Sequence, residues 1–106
     1  MEVNFKHDYK DCFSNKILEE NSKESIPKAI WRHLAFSLFN LSSVGPEALD
    51  GKDKYMAYSL SYRIAENPES VEMTTEEASF LKKVCACLLS AGAYGQVEDI
   101  IEGRYK

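Results

Sequence analysis

The stretch TTEEASFLKKVCACLLSAGAYGQVEDIIEG, residues Thr74–Gly103, decides the fold of this chain. It opens with Thr74 and Glu77, the spacing of a capping box, in which each side chain accepts a hydrogen bond from the other residue's backbone N–H. Apolar residues then recur every three or four positions as far as Leu88. This spacing is typical of a helix with one buried face.

Two glycines divide the same stretch. Gly92 is predicted to end the first helix in the left-handed conformation that glycine adopts easily after a helix. A shorter apolar pattern follows, and Gly103 is predicted to end it in the same way. The stretch therefore predicts two helices joined by a turn, over residues 75–91 and 94–102.

Two more helices are predicted before this stretch. Ser25 is a good N-cap and Pro27 fits the first turn of a helix over residues 25–41. Asp50 is expected to cap a second helix over residues 52–66. The core face of the earlier helix is predicted from its apolar spacing to be Ile26, Ile30, Leu34, Leu38 and Leu41.

Short strands are predicted within residues 2–18 and at Val71–Met73. Val3–Phe5 alternates apolar and polar residues, as a strand with one buried face does. A second extended piece is placed either at Cys12–Phe13 or at Lys16–Leu18. The fold class predicted is α+β and mostly helical: three main helices, a short C-terminal helix and a small sheet of two or three strands.

Length, charge and composition exclude several kinds of protein. With 106 residues the chain is expected to form one domain, residues 1–106. Its net charge of −4 argues against non-specific nucleic-acid binding, which needs a basic surface. The polar N-terminus is no secretory signal, no apolar run is long enough to span a membrane, and three cysteines do not make a disulfide framework. A cytoplasmic protein is expected.

No pattern of catalytic or ligating residues is found. Cys85 and Cys87 are two positions apart, so a helix points them in directions about 200° apart and they cannot share a metal ion. Cys85 is expected in the core and Cys87 on its flank. His7 and His33 match no nucleophile signature. The sequence therefore predicts a protein that is not an enzyme and that has no metal or cofactor.

The predicted helix–turn–helix also invites comparison with DNA-binding motifs. A recognition helix should offer basic or amide side chains to the bases. Here the second helix carries Glu98, Asp99 and Glu102, which phosphates would repel. Direct nucleic-acid binding is not expected.

Two groups of residues exceed what folding requires. The segment from Glu66 to Glu77 holds five glutamates and no Lys or Arg. Glu66, Glu69 and Glu72 have no helix-capping role, and they either steer a partner with a basic surface or only solvate a loop.

The aromatic residues form the second group. Tyr55, Tyr58 and Tyr62 recur along one helix, and Trp31 lies off the main apolar stripe of another. Such residues favour a protein interface, with a host protein or in a homodimer, because they bring large contact area at low entropic cost. The alternative is that these tyrosines are ordinary core residues.

The segments DGKDKYMAYSLSYRI, residues 50–64, and VEMTTEEASFLKKVCACL, residues 71–88, carry a resemblance. They are similar to small accessory proteins of tailed bacteriophages and prophages, over most of residues 2–103. The resemblance implies a non-enzymatic phage-derived protein in the cytoplasm of a bacterial host, which binds and inhibits a host protein such as a defence nuclease complex of the CRISPR kind. A homo-oligomeric virion assembly protein is the second interpretation, and a small transcriptional regulator is the third.

Overall fold

The computed structural model describes residues 1–19 and 26–105. Within these residues the chain forms four helices and two small antiparallel sheets, which confirms the predicted α+β, mostly helical class. In chain order the elements are β1 (Glu2–Val3), α1 (Ile30–Phe39), β2 (Ser43–Val44), β3 (Glu47–Ala48), α2 (Gly51–Glu66), β4 (Val71–Glu72), α3 (Thr75–Leu88) and α4 (Ala91–Ile101).

The first sheet pairs the two predicted strands. β1 runs antiparallel to β4, with Val3 opposite Val71. Both valines are buried, so one face of this two-stranded sheet belongs to the core. The backbone N–H of Phe5 donates to the carbonyl of Pro68 at 2.7 Å and extends the contact beyond the strands. The N-terminal strand therefore pairs with the strand that was predicted at Val71–Met73.

The beginning of α1 differs from the prediction. The helix begins at Ile30 rather than at residue 25, because the residues before it are used in extended pairing. Pro27 forms a β-bridge with Leu18, and Ala29 forms another with Asp8. The predicted cap, Ser25, lies outside the described residues.

The same pairing settles the position of the second extended piece. The N–H of Ile17 donates to the Tyr9 carbonyl at 3.0 Å, and the N–H of Lys28 donates to the Ile17 carbonyl at 2.8 Å. The segment Lys16–Leu18 therefore lies between two extended neighbours, whereas Cys12–Phe13 lies in a turn.

A second sheet was missed by the sequence analysis. β2 and β3 form a tight hairpin, with Ser43 opposite Ala48 and Val44 opposite Glu47. Gly45 turns the chain with φ of +60°, a conformation that glycine adopts without a steric cost. The sequence analysis predicted no strand between the helices over residues 25–41 and 52–66. Correspondingly, α1 ends at Phe39, two residues before the predicted end.

The caps of α2 and α3 are confirmed. The Asp50 side chain accepts from the N–H of Asp53 at 2.8 Å, at the start of α2. Thr74 and Glu77 form the reciprocal capping box at the start of α3. Arg63 on α2 also binds the Glu77 carboxylate. Glu77 therefore both caps α3 and joins α3 to α2.

The turn between α3 and α4 is earlier than predicted. α3 ends at Leu88, and Ser90 caps α4 by accepting from the N–H of Ala93 at 3.4 Å. Gly92 is therefore inside the first turn of α4, and its predicted role as the end of α3 is wrong. Gly103 has φ of +75° directly after α4, as predicted.

The core lies between the inner faces of all four helices and the β1–β4 sheet. Phe5, Leu60 and Leu81 are among its fully buried side chains. In the described part of the chain, the buried apolar residues are Val3, Phe5, Tyr9, Ile30, Leu34, Leu38, Val44, Ala57, Leu60, Ile64, Val71, Met73, Ala78, Leu81, Val84, Cys85, Val97, Ile100 and Ile101.

Two phenylalanines near the N-terminus provide a matched test of this core. Phe5 is fully buried, whereas Phe13 is 80% exposed. Phe5→Ala should lower the free energy of unfolding by about 3–5 kcal/mol, because it removes buried apolar surface and leaves a cavity. Phe13→Ala should change it by less than about 0.5 kcal/mol. Urea denaturation of both variants measures the difference, and equal losses would contradict the placement of Phe5 in the core.

Candidate protein-interaction surface

The outer face of α1 is apolar although its inner face already fills the core. Ile30, Leu34 and Leu38 recur at four-residue spacing and are buried. Phe36 and Phe39 point away from this stripe and are 73% and 55% exposed. Two large rings in water on one short helix carry a hydrophobic cost that a covering surface would remove.

The outer face of α2 continues this surface. Tyr55, Tyr58 and Tyr62 are all exposed, and Tyr55 is 69% exposed. Their rings form one cluster with Phe39: the centroid of Tyr58 lies 5.1 Å from that of Tyr62, and the centroid of Phe39 lies 6.1 Å from Tyr62. These are ordinary distances for interacting aromatic rings, so the cluster is preorganised on the helix pair. The interpretation of these tyrosines as core residues is wrong.

Between the two helices runs an open apolar groove of about 360 Å³. Its lining residues are Trp31, Arg32, Ala35, Phe36, Phe39, Ser61, Tyr62 and Ala65. Ser61, the one polar buried side chain among them, donates its hydroxyl to the Tyr58 carbonyl at 2.7 Å. Because that hydroxyl is satisfied within its own helix, the groove presents an apolar floor to a partner.

Trp31 occupies one end of the groove. It is half-buried and packs against the core. The guanidinium of Arg32 lies 5.5 Å from the centre of its ring, a cation–π contact that places a positive charge at the edge of the apolar surface. We call the exposed rings of Phe36, Phe39, Tyr55, Tyr58 and Tyr62, together with the groove and Trp31, the aromatic face.

The predicted acidic residues are exposed, but two of them have local partners. Glu69 pairs with Lys6 at 3.0 Å, and the Glu72 carboxylate lies 3.9 Å from the N-terminal ammonium. Their negative charge is therefore partly balanced within the fold, although neither residue caps a helix. Glu66, the last residue of α2, follows Tyr62 by four positions and so continues the tyrosine stripe.

Sequence reasoning thus found part of the aromatic face. It selected the three tyrosines and Trp31, and the structure brings these together. It did not include Phe39 or Arg32, because a helix predicted over residues 25–41 was apolar around most of its circumference and gave no reason to assign an outer face. One signal could have found Phe39. Phe36 and Phe39 are three positions apart on α1, as Tyr58 and Tyr62 are four positions apart on α2, and residues at these spacings lie on one face of a helix.

A second cluster of titratable groups lies on the other side of α1. The Tyr9 hydroxyl and Nδ1 of His33 share a hydrogen bond of 2.9 Å at the edge of a cavity of about 320 Å³. Burial raises the pKa of Tyr9, and burial together with nearby Lys28 lowers the pKa of His33. Both groups are therefore held neutral near pH 7, where Tyr9 serves as a satisfied core residue.

The cysteines are arranged as the helix period predicts. Cys85 is buried in the core and Cys87 is exposed. Burial raises the pKa of the Cys85 thiol to about 12, so at neutral pH it holds its proton and lacks the thiolate that a nucleophile needs. Among residues 1–19 and 26–105, no three His, Cys, Asp or Glu side chains are grouped so that they could hold a metal ion.

Comparison of the chain with protein-family models, with curated proteins and with solved structures gives no match. In the described part of the chain, no helix combines the length and the apolar character needed to cross a membrane. Within residues 1–19 and 26–105, the aromatic face is an apolar surface that packing inside the chain leaves uncovered.

The lowered pKa of His33 predicts a pH-dependent stability. In the folded protein this imidazole binds its proton at lower pH than in the unfolded chain. At a pH near or below about 6.5 the folded state therefore binds fewer protons than the unfolded state does at the same pH. Stability that is present at pH 7.5 should decrease toward pH 5.5. The urea midpoint should fall over this range in the natural protein and fall less in His33→Gln, and equal decreases would contradict the shift.

Proposed function

We propose that this protein works by binding another protein chain through the aromatic face, without catalysing a reaction. The observation that carries the proposal is the exposure of five aromatic rings on two helices whose inner faces are fully packed. A fully exposed aromatic side chain offers about 200 Å². With exposed fractions between 47% and 73%, the five rings leave about 600 Å² of apolar surface in water, at the upper end of what monomeric proteins expose.

The composition of the surface supports binding rather than accidental exposure. Tyrosine, tryptophan, phenylalanine and arginine are the residues most enriched at the centres of protein interfaces. All four occur here within one patch: Tyr58 and Tyr62 at its middle, Phe36 at its edge, and Arg32 stacked on Trp31. Rings already in contact with one another lose little side-chain entropy on binding.

The same geometry favours a protein partner over a small molecule. The groove is open along its length, and aromatic residues extend beyond it toward Tyr55. Convergent polar groups that would orient a small ligand are few, because the Ser61 hydroxyl is already bonded to backbone. The more specific prediction, that the partner is a host protein and that binding inhibits it, has its support in the phage resemblance and stays a prediction.

Site-specific photo-crosslinking tests this proposal. A photoreactive phenylalanine analogue replaces Phe36 on the aromatic face or, as the control, Phe13, which is equally aromatic and exposed but lies in the N-terminal turn. In cells that express the chain, illumination should give an adduct of defined mass from position 36 and none from position 13. Adding Tyr58→Ser should reduce the adduct about tenfold, as expected for loss of a central interface ring.

Two results would contradict the proposal. One is the absence of any defined adduct from position 36. The other is the same set of adducts from positions 13 and 36, which would indicate non-specific collision with an exposed aromatic residue.

A further inference from the structure

We infer that the chain covering the aromatic face is a second copy of this same protein. The inference rests on the proposed function, since it names the occupant of the surface described above. In the arrangement we propose, two copies are related by a two-fold axis that runs along the groove. α1 of each copy then packs against α2 of the other, and the four helices form an antiparallel bundle.

The size of the surface fits a dimer of this kind. A stable interface between two proteins buries about 800 Å² on each partner. The five exposed rings supply about 600 Å² of this, and the groove between them supplies further apolar area at Trp31, Ala35 and Ala65. Helix α2 has 16 residues and is therefore about 24 Å long, which gives an elongated surface suited to a partner made of parallel or antiparallel helices.

The direction of the helices determines which ends meet. Within one chain α1 and α2 are antiparallel: Trp31, at the start of α1, shares the groove with Ala65, near the end of α2. At the other end of α1, Phe39 lies 6.3 Å from Tyr58, ring to ring. A two-fold axis along the groove keeps these directions, so the start of α1 in one copy lies opposite the end of α2 in the other.

Charges at that end are complementary under this symmetry. Arg32 is in the first turn of α1 and lines the groove, and Glu66 is the last residue of α2 on the tyrosine stripe. Neither forms a salt bridge with another residue in the ranges 1–19 and 26–105. The two-fold axis brings Arg32 of each copy opposite Glu66 of the other, so the interface gains the opposite-charge contact twice.

The other two-fold arrangement matches these charges less well. An axis perpendicular to the helices would pair α1 with α1, so that Arg32 would lie opposite the end of α1 in the second copy. Residues 39–43 at that end contain no acidic side chain. The axis along the groove places an acidic residue, Glu66, directly opposite Arg32, which is why we assign that geometry.

Charge reversal tests both the occupant and the geometry. The mass of the purified protein is measured by light scattering and sedimentation over a wide concentration series. It should rise from 12.0 kDa to twice that value. Arg32→Glu and Glu66→Arg should each weaken self-association by about tenfold to a hundredfold, because each places two like charges together in the symmetric dimer. The double variant Arg32→Glu/Glu66→Arg should recover most of the natural affinity.

The matched control is Arg104→Glu, the same change of charge beyond the end of α4, where Arg104 pairs with Glu98 and Asp99. It should leave self-association unchanged, and far-ultraviolet circular dichroism should show that all variants keep their helices. A dimer that the double variant fails to restore would overturn the arrangement along the groove.

Failure of this inference is distinguishable from failure of the proposed function. A mass of 12.0 kDa at every concentration, together with a photo-crosslinked adduct at position 36 to a different protein, overturns the second copy and keeps the proposed function. A constant monomer mass with no defined adduct overturns both. An adduct with the mass of two chains supports both.

Discussion

The structure depends on the burial of one stripe of α1 against α2. Ile30, Leu34 and Leu38 fill the space beneath the helix pair, and the core closes around them. Because a chain of 106 residues has a limited core, this packing leaves no interior space for the remaining rings of the same helices. The rings are therefore held outward on a rigid support. The exposed surface is a consequence of how the core is filled.

That constraint links the fold to the function we propose. Flexible loops carry many binding sites, but the aromatic face lies on two helices, so its rings are already placed before a partner arrives. Two residues of opposite charge, Arg32 and Glu66, also lie at the same end of the helix pair. In a dimer formed along the groove, Glu69 and Glu72 remain on the β1–β4 side, where a basic partner could still reach them.

Local signals in the sequence predicted the parts of the fold that local chemistry controls. The capping box at Thr74 and the glycine at Gly103 need only neighbouring residues, and both were predicted correctly. Pro27 was placed in a helix because it suits a first turn, but pairing with the distant Leu18 holds it extended. The aromatic face shows the same contrast between local and long-range signals. The tyrosines repeat along one helix and were predicted, whereas Phe39 joins them only through contact between two helices.

The most direct test of this account is an NMR dilution series on the isotopically labelled protein. Backbone amide and aromatic ring resonances are followed from high to low concentration. The account predicts concentration-dependent shifts at residues 31–39 and 55–66, with the resonances of α4 unchanged. Spectra that do not change with concentration, or shifts that centre on α4 instead, would contradict the claim that the aromatic face is the surface on which two copies of this protein meet.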